Sequence, residues 1–199
     1  MKPALIIFVR NPVLAKVKTR LAASLGNEKA LEIYKMLLAH TNTISKNLEA
    51  DKYIFYEDFI NTNDIWQNDT YRKELQHGTN LGDRMKNAFD NLFKNGYEKV
   101  IIIGSDCYEL TNDILNDAFY QLTKNDIVIG PANDGGYYLL GMNQFIPELF
   151  KDKKWSSESV YTDTVNQVKK INKKFYNLPL LSDVDEEKDI DYEKLKNLD

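Results

Sequence analysis

The chain has 199 residues, of which 43% are hydrophobic, 12% aromatic and 28% charged. That length suits one domain, able to bury roughly 70% of the surface of its extended chain. No apolar run approaches the ~20 residues of a membrane span, which excludes an integral membrane protein. A single cysteine, Cys107, and two histidines, His40 and His77, exclude a disulfide framework and a centre built of cysteine or histidine. With 26 cations against 30 anions the net charge is −4, where a general nucleic-acid binder would carry a basic surplus.

The first segment, Met1-Lys2-Pro3-Ala4, runs straight into a strand-like stretch without the pattern of a signal peptide, so a cytoplasmic protein is expected. Ala4 to Val9 reads as a buried strand. The stretch up to residue 27 then carries Lys2, Arg10, Lys16, Lys18 and Arg20 and no acid before Glu28. A basic segment in an acidic protein fits a small anion such as a phosphate, although a solvated face would read the same. A helix beginning near Arg20 would add free backbone N–H groups to such a site.

Ala30, Ile33, Tyr34, Leu37, Leu38, Thr41, Ile44 and Leu48 recur at helical spacing and mark an amphipathic helix. Tyr53 to Tyr56 is the second expected strand, and the polar run Asn61 to Asp69 reads as loop. A second helix places Leu81, Met85, Ala88, Phe89, Leu92 and Phe93 on one face and stops near Gly96. Val100-Ile101-Ile102-Ile103 lacks polar alternation, as burial on both faces of a parallel sheet requires. Thr111 is a cap for a third helix, with Asp113 in its first turn. Strands follow at Asp126 to Gly130 and Tyr137 to Met142. Then come a helix over about Glu158 to Ile171, a short strand near Phe175 and a final helix from about Glu186. Strands alternating with helices in this rhythm predict an α/β fold with a mostly parallel central sheet. No repeat or linker divides the chain, so residues 1–199 are expected to form one domain.

In open α/β sheets ligands bind outside the carboxyl ends of the strands, and three unusual segments fall there. The first is Arg10 to Arg20, where Lys16, Lys18 and Arg20 alternate with Val17 and Thr19. It has neither the Walker spacing nor the Rossmann glycine pattern. Only four of the 26 cations are arginine. Arg10 and Arg20 bracket this loop and Arg84 ends the Gly78 to Arg84 turn, which suggests that the planar fork is wanted for phosphate or carboxylate. The second segment is Gly104-Ser105-Asp106-Cys107, where an aspartate leaving the sheet suits a hard cation, Mg²⁺ or Mn²⁺, or simply caps the next element. The third runs from Gly130 to Tyr138 through Asn133-Asp134-Gly135-Gly136, either a plain hairpin turn or bare backbone for a ligand. Asp183-Val184-Asp185 adds carboxylates near the end, or an acidic helix start. Cys107 is read as a small buried thiol.

In order along the chain stand Asn11-Pro12-Val13 to Lys16-Val17-Lys18-Thr19-Arg20-Leu21, Leu81-Gly82-Asp83-Arg84-Met85, Gly104-Ser105-Asp106-Cys107 and Gly130-Pro131-Ala132-x-Asp134-Gly135-Gly136-Tyr137. This series resembles the radical-SAM/selenodomain-associated transferases, a bacterial branch of the nucleotide-diphospho-sugar transferases. The resemblance runs from about Ile6 to Asp189. It implies a Rossmann-like α/β/α sandwich of the GT-A kind and a metal-dependent transferase with a nucleotide donor and a small-molecule acceptor. By the same resemblance Arg10, Lys16, Lys18 and Arg20 bind the donor's phosphates, and Gly78, Gly82 and Arg84 lie near its base or ribose. Lys18, Arg20 and Asp106 carry the catalysis, Asp106 and Asp185 hold Mg²⁺ or Mn²⁺ with Asp183 behind them, and Asp134, Gly135, Gly136 and Trp155 line the acceptor. Ala15 stands where that family usually has glycine, and Tyr108 where it usually has proline. Transfer of a sugar from a nucleotide-sugar is the leading expectation, transfer of a nucleotidyl group from a triphosphate the alternative, and a non-catalytic nucleotide-binding module a third. No nucleic acid or membrane span is expected, and the aromatic content would allow a homodimer as well as a core.

Overall fold

The computed structural model describes residues 2–191. Seven strands form one sheet in the order β3-β2-β1-β4-β6-β5-β7. They are β1 (Pro3–Val9), β2 (Asp51–Tyr56), β3 (Tyr71–Leu75), β4 (Lys99–Ile103), β5 (Ile127–Pro131), β6 (Tyr137–Met142) and β7 (Phe175–Asn177). The helices are α1 (Thr19–Leu25), α2 (Asn27–Ser45), α3 (Leu81–Lys94), α4 (Asn112–Gln121) and α5 (Val160–Lys170). All pairings are parallel except those of β6, which runs antiparallel to β4 and β5.

The strand alternation builds two apolar layers. Leu5, Ile7, Ile101 and Ile103 join Tyr34 and Leu38 of α2 and Leu115 and Ala118 of α4 on one face. Ala4, Ile6, Val100 and Ile102 join Met85 and Phe89 of α3 and Val168 of α5 on the other. Every residue of β4 is buried, which is the physical reason for its unbroken β-branched run. The fold is thus the expected α/β arrangement with helices on both faces of a mostly parallel sheet. No helix among the described residues is long and apolar enough to cross a membrane.

The caps follow local chemistry. Thr111 accepts from Ile114 N–H at the start of α4, and Asn80 accepts from Asp83 N–H at the start of α3. A break at Gly26, with φ of +84°, separates α1 from α2. Helix α2 ends at Ser45, so Leu48 reaches the core from the turn beyond it.

Some expectations are corrected. The strand β3 follows the expected loop directly, and its sequence Tyr71-Arg72-Lys73-Glu74-Leu75 hides it because an edge strand needs few apolar residues. Leu81, the first residue of α3, does not face inward: it is 43% exposed. In place of a helix from Glu186 there is a single 3-10 turn, Glu187–Asp189, and the rest of that expected helix lies outside the described residues. Helix α5 begins at Val160, two residues after the expected start.

Candidate functional site

The carboxyl ends of β1, β2, β4, β5 and β7 open on one edge of the sheet, and the loops there bring together two charged clusters. The first is centred on a lysine. After β1 the chain turns tightly, Val13 N–H donating to Asn11 O (2.7 Å) and Lys16 N–H to Val13 O (3.1 Å). Ala15 and Lys18 both adopt left-handed backbone, with φ of +61° and +47°. The loop therefore wraps as a glycine would let it, with alanine carrying the strain.

Lys18 immediately precedes α1, and its ammonium donates to Asp106 Oδ2 (2.9 Å) and Asp185 Oδ1 (3.1 Å). Arg20 Nη1 reaches Asp185 Oδ2 at 3.4 Å. The Lys18 side chain is only 7% exposed. Burial alone would lower its pKa, but the two carboxylates outweigh burial and hold it above the ordinary lysine value. Because α1 has only seven residues, the side chains rather than the helix start supply the positive charge here.

Asp106 follows β4 at a point where Gly104 leaves room: a Cβ there would stand 2.8 Å from Asp106 Oδ1. Val184 N–H donates to Asp106 O (2.9 Å), and Ser182 N–H to Glu109 Oε2 (2.9 Å), which sew the Asp183-Val184-Asp185 segment to this loop. Val184 is fully buried among Leu21, Ala30, Ile33 and Leu37, and its anchoring places Asp183 and Asp185 in the cluster. Asp183 Oδ1 is buried without a hydrogen-bond partner. Burial, reinforced by the Asp106 and Asp134 carboxylates, pushes the Asp183 carboxyl well above the usual aspartate range.

The second cluster is centred on Glu57, which the sequence reading did not single out. Its carboxylate takes Arg10 Nε at 2.8 Å and Arg84 Nη1 at 2.7 Å. Arg10 and Glu57 each follow a strand, and the parallel register Val9 with Tyr56 sets them side by side. That register was the available signal, since adjacent parallel strands align the residues leaving them. Two of the four arginines thus share one carboxylate, while Lys16 stays exposed.

The expected base and acceptor residues also prove to be neighbours of one another. Gly82 is covered by Trp155: a Cβ there would stand 2.1 Å from the indole Nε1. Gly78, with φ of +146°, lies against Asp83, whose Oδ2 accepts from Thr79 Oγ1 and Asn80 Nδ2. Both glycines therefore have a packing reason, independent of any ligand. Asp134 Oδ1 accepts from Gly136 N–H (2.8 Å) in the turn between β5 and β6, and Gly135 lies on the Glu158 backbone. Nearby, Lys153 donates to Thr164 Oγ1 and sits 5.7 Å from the centre of the Trp155 ring. Burial lowers the Lys153 pKa to about 8. Cys107 is buried, and burial raises its thiol pKa above the ordinary value, which leaves it inert.

The donor set suits a hard divalent cation, since Asp106, Asp183 and Asp185 offer oxygen alone and Asp183 holds an unsatisfied oxygen. Among the described residues, however, no three His, Cys, Asp or Glu side chains are arranged to hold a metal ion together. Asp106 and Asp185, the two expected ligands, are brought together on the Lys18 ammonium instead.

Residues 40–157 match the family described as "Uncharacterized protein conserved in bacteria (DUF2064)". The chain belongs to that family. In structure it is similar to a candidate nucleotide-diphospho-sugar transferase from Desulfovibrio desulfuricans G20, with a TM-score of 0.85 and 32% identity over 94% of this chain and 84% of that one. CMP:2-keto-3-deoxy-manno-octonic acid synthetase, solved with CTP, has a TM-score of 0.62 at 7% identity, over 99% of this chain and 98% of that one. The 4-diphosphocytidyl-2C-methyl-D-erythritol synthase of Anaerococcus prevotii DSM 20548 has a TM-score of 0.58 at 12% identity, over 99% and 94%. At such identities these two share the fold with the chain. No curated protein matches it in sequence.

Proposed function

We propose that this family member is a transferase that takes a nucleotide donor, specifically a nucleotide-sugar, and passes the sugar to a small-molecule acceptor. The observation that carries this reading is the Lys18 ammonium, held by Asp106 and Asp185 at the ligand edge of the sheet. Its support from outside the site is the 32% identity to the Desulfovibrio protein.

In this reading Lys18 and Arg20 neutralise the departing nucleoside diphosphate as an acceptor hydroxyl attacks the anomeric carbon and the sugar–phosphate bond breaks. Fixed positive groups aimed at growing phosphate charge lower the barrier without a covalent nucleophile. Arg10 and Lys16 hold the outer phosphates, and Arg84, beside Gly78 and Gly82, shapes the base side. Asp134, Gly135, Gly136 and Trp155 border the acceptor. Asp106 and Asp185, with Asp183, would hold Mg²⁺ or Mn²⁺, which supplies Lewis-acid neutralisation of the phosphates. The chain acts as one domain, in the cytoplasm, within the radical-SAM/selenodomain-associated branch.

A second reading, nucleotidyl transfer from a triphosphate with release of pyrophosphate, is favoured by one observation. Asp106 is followed by Cys107 and Tyr108, so the second carboxylate of the Asp-x-Asp motif found in many sugar transferases is missing. A thermal-melt panel of nucleoside triphosphates and nucleotide-sugars, each with and without Mn²⁺, separates the two. A ligand at 100 times its dissociation constant stabilises a fold by ~2.7 kcal/mol. A larger metal-dependent rise with nucleotide-sugars supports sugar transfer and one with triphosphates supports nucleotidyl transfer. The absence of any rise overturns both and leaves a module without a donor site.

A further inference from the structure

We infer that the Lys18 ammonium and a divalent cation take turns at one place among Asp106, Asp183 and Asp185, and that Lys18 yields this place by moving to the phosphates of the donor. The inference rests on the nucleotide-donor reading and adds a coupling between its two ligands.

Three observations carry it. First, Lys18 Nζ stands 2.9 Å from Asp106 and 3.1 Å from Asp185 with its side chain 7% exposed, so the space between the carboxylates is filled by a cation already. This also explains why no three carboxylates there are arranged around a common point. Second, Asp183 Oδ1 is buried and unpartnered in the same cluster, and a buried acceptor without a partner is costly to the fold. One ammonium does not satisfy this set: its hydrogen bonds reach Asp106 and Asp185 and leave Asp183 Oδ1 without one. A doubly charged, oxygen-seeking ion matches it better. Third, among the described residues the hydrogen bonds of the Lys18 ammonium run to Asp106 and Asp185 and to no other group. It makes no capping bond to α1, and its flexible four-carbon stem leaves the loop that also carries Lys16.

The consequence is a thermodynamic linkage. A cation arriving alone must expel the ammonium into solvent, whereas a polyphosphate gives the displaced ammonium a new partner. Cation and donor therefore bind with positive cooperativity, and the coupling is reciprocal.

The test is Mn²⁺ alone, titrated by the loss of the free-ion electron paramagnetic resonance signal, with wild type, Lys18→Met, Lys18→Gln and Arg20→Gln. Asp106 and Asp185 are 37% and 49% exposed, so water can reach both when Lys18 is replaced, and a circular-dichroism melt checks the fold of each variant. Lys18→Met and Lys18→Gln are expected to bind Mn²⁺ at least ten-fold more tightly than wild type. Arg20→Gln removes the same charge from the cluster without emptying the space and is expected to gain less than three-fold. Adding Asp183→Asn to Lys18→Met is expected to cancel the gain. Unchanged or weaker Mn²⁺ binding in both Lys18 variants overturns the exchange, and so does an equal gain in Arg20→Gln. The nucleotide panel on wild type separates the two levels. Nucleotide binding with no Mn²⁺ gain removes the exchange alone, while a Mn²⁺ gain without nucleotide binding keeps only the competition of Lys18 and the cation for one place and removes both the donor reading and the move of Lys18 to its phosphates.

Discussion

The two clusters at the ligand edge are near mirror images in charge. At one, a single carboxylate, Glu57, sits between the guanidinium groups of Arg10 and Arg84. At the other, a single ammonium, Lys18, sits among carboxylates. Their difference lies in completeness. Both Glu57 oxygens are engaged by arginine, whereas the Lys18 cluster leaves Asp183 Oδ1 buried and unpaired. A satisfied cluster orients the loops it joins, and an unsatisfied one holds energy that a ligand can release. An unsatisfied buried polar group therefore points to the reacting end of the site more firmly than the number of charged residues does.

Several substitutions would break or sharpen this contrast. The largest effect is expected at Asp106: Asp106→Ala should lower turnover by about 10²–10³-fold or more while the melting curve keeps its cooperative shape, as read by product formation and circular dichroism. Next comes the opposite response of the two clusters in stability. Asp183→Asn supplies amide donors to the neighbouring carboxylates and should raise stability by about 1–3 kcal/mol, measured by urea unfolding. Glu57→Gln should lower it by about 1 kcal/mol, because it leaves two guanidinium groups side by side with a weaker acceptor. Equal signs for these two variants would erase the distinction between the clusters.

Lys153 gives a pH signature outside both. Its pKa in the folded chain, about 8, lies below the ordinary value of 10.5, so the unfolded chain binds more protons between those limits. Stability should therefore rise as pH climbs from 8 to 10.5, and Lys153→Met should remove that rise in melts across the window. The smallest effect belongs to Ala15→Gly. At φ of +61° glycine escapes the steric cost of a Cβ but loses more entropy on folding, so a gain of at most about 1 kcal/mol is expected.

Features that depend on near neighbours could be read along the chain. The helix caps at Thr111 and the unbroken apolar run of β4 arise from contacts within a few residues or from burial on both faces. The burial of Val184 was not read from the sequence, where Asp183-Val184-Asp185 passed equally for an acidic helix start, because the core it enters is built by Leu21, Ala30, Ile33 and Leu37 of distant helices. The edge strand β3 escaped notice because burial asks little of its side chains. The antiparallel β6 escaped because its apolar run looks the same in either direction.

Charge pairing was the least legible feature. The segment up to residue 27 has five cations, Lys2, Arg10, Lys16, Lys18 and Arg20, and no acid, which by itself suggests an open phosphate site. The fold gives four of them partners from distant segments: Asp51 for Lys2, Glu57 for Arg10, Asp106 and Asp185 for Lys18, and Asp185 for Arg20. The amino-acid sequence alone determined the layers of the sandwich, because hydrophobic periodicity acts through neighbours on one element. Only the tertiary structure decided which charge faces which. Coulomb interactions act across space, and residues separated by as many as 167 positions meet only after the sheet has aligned the ends of its strands.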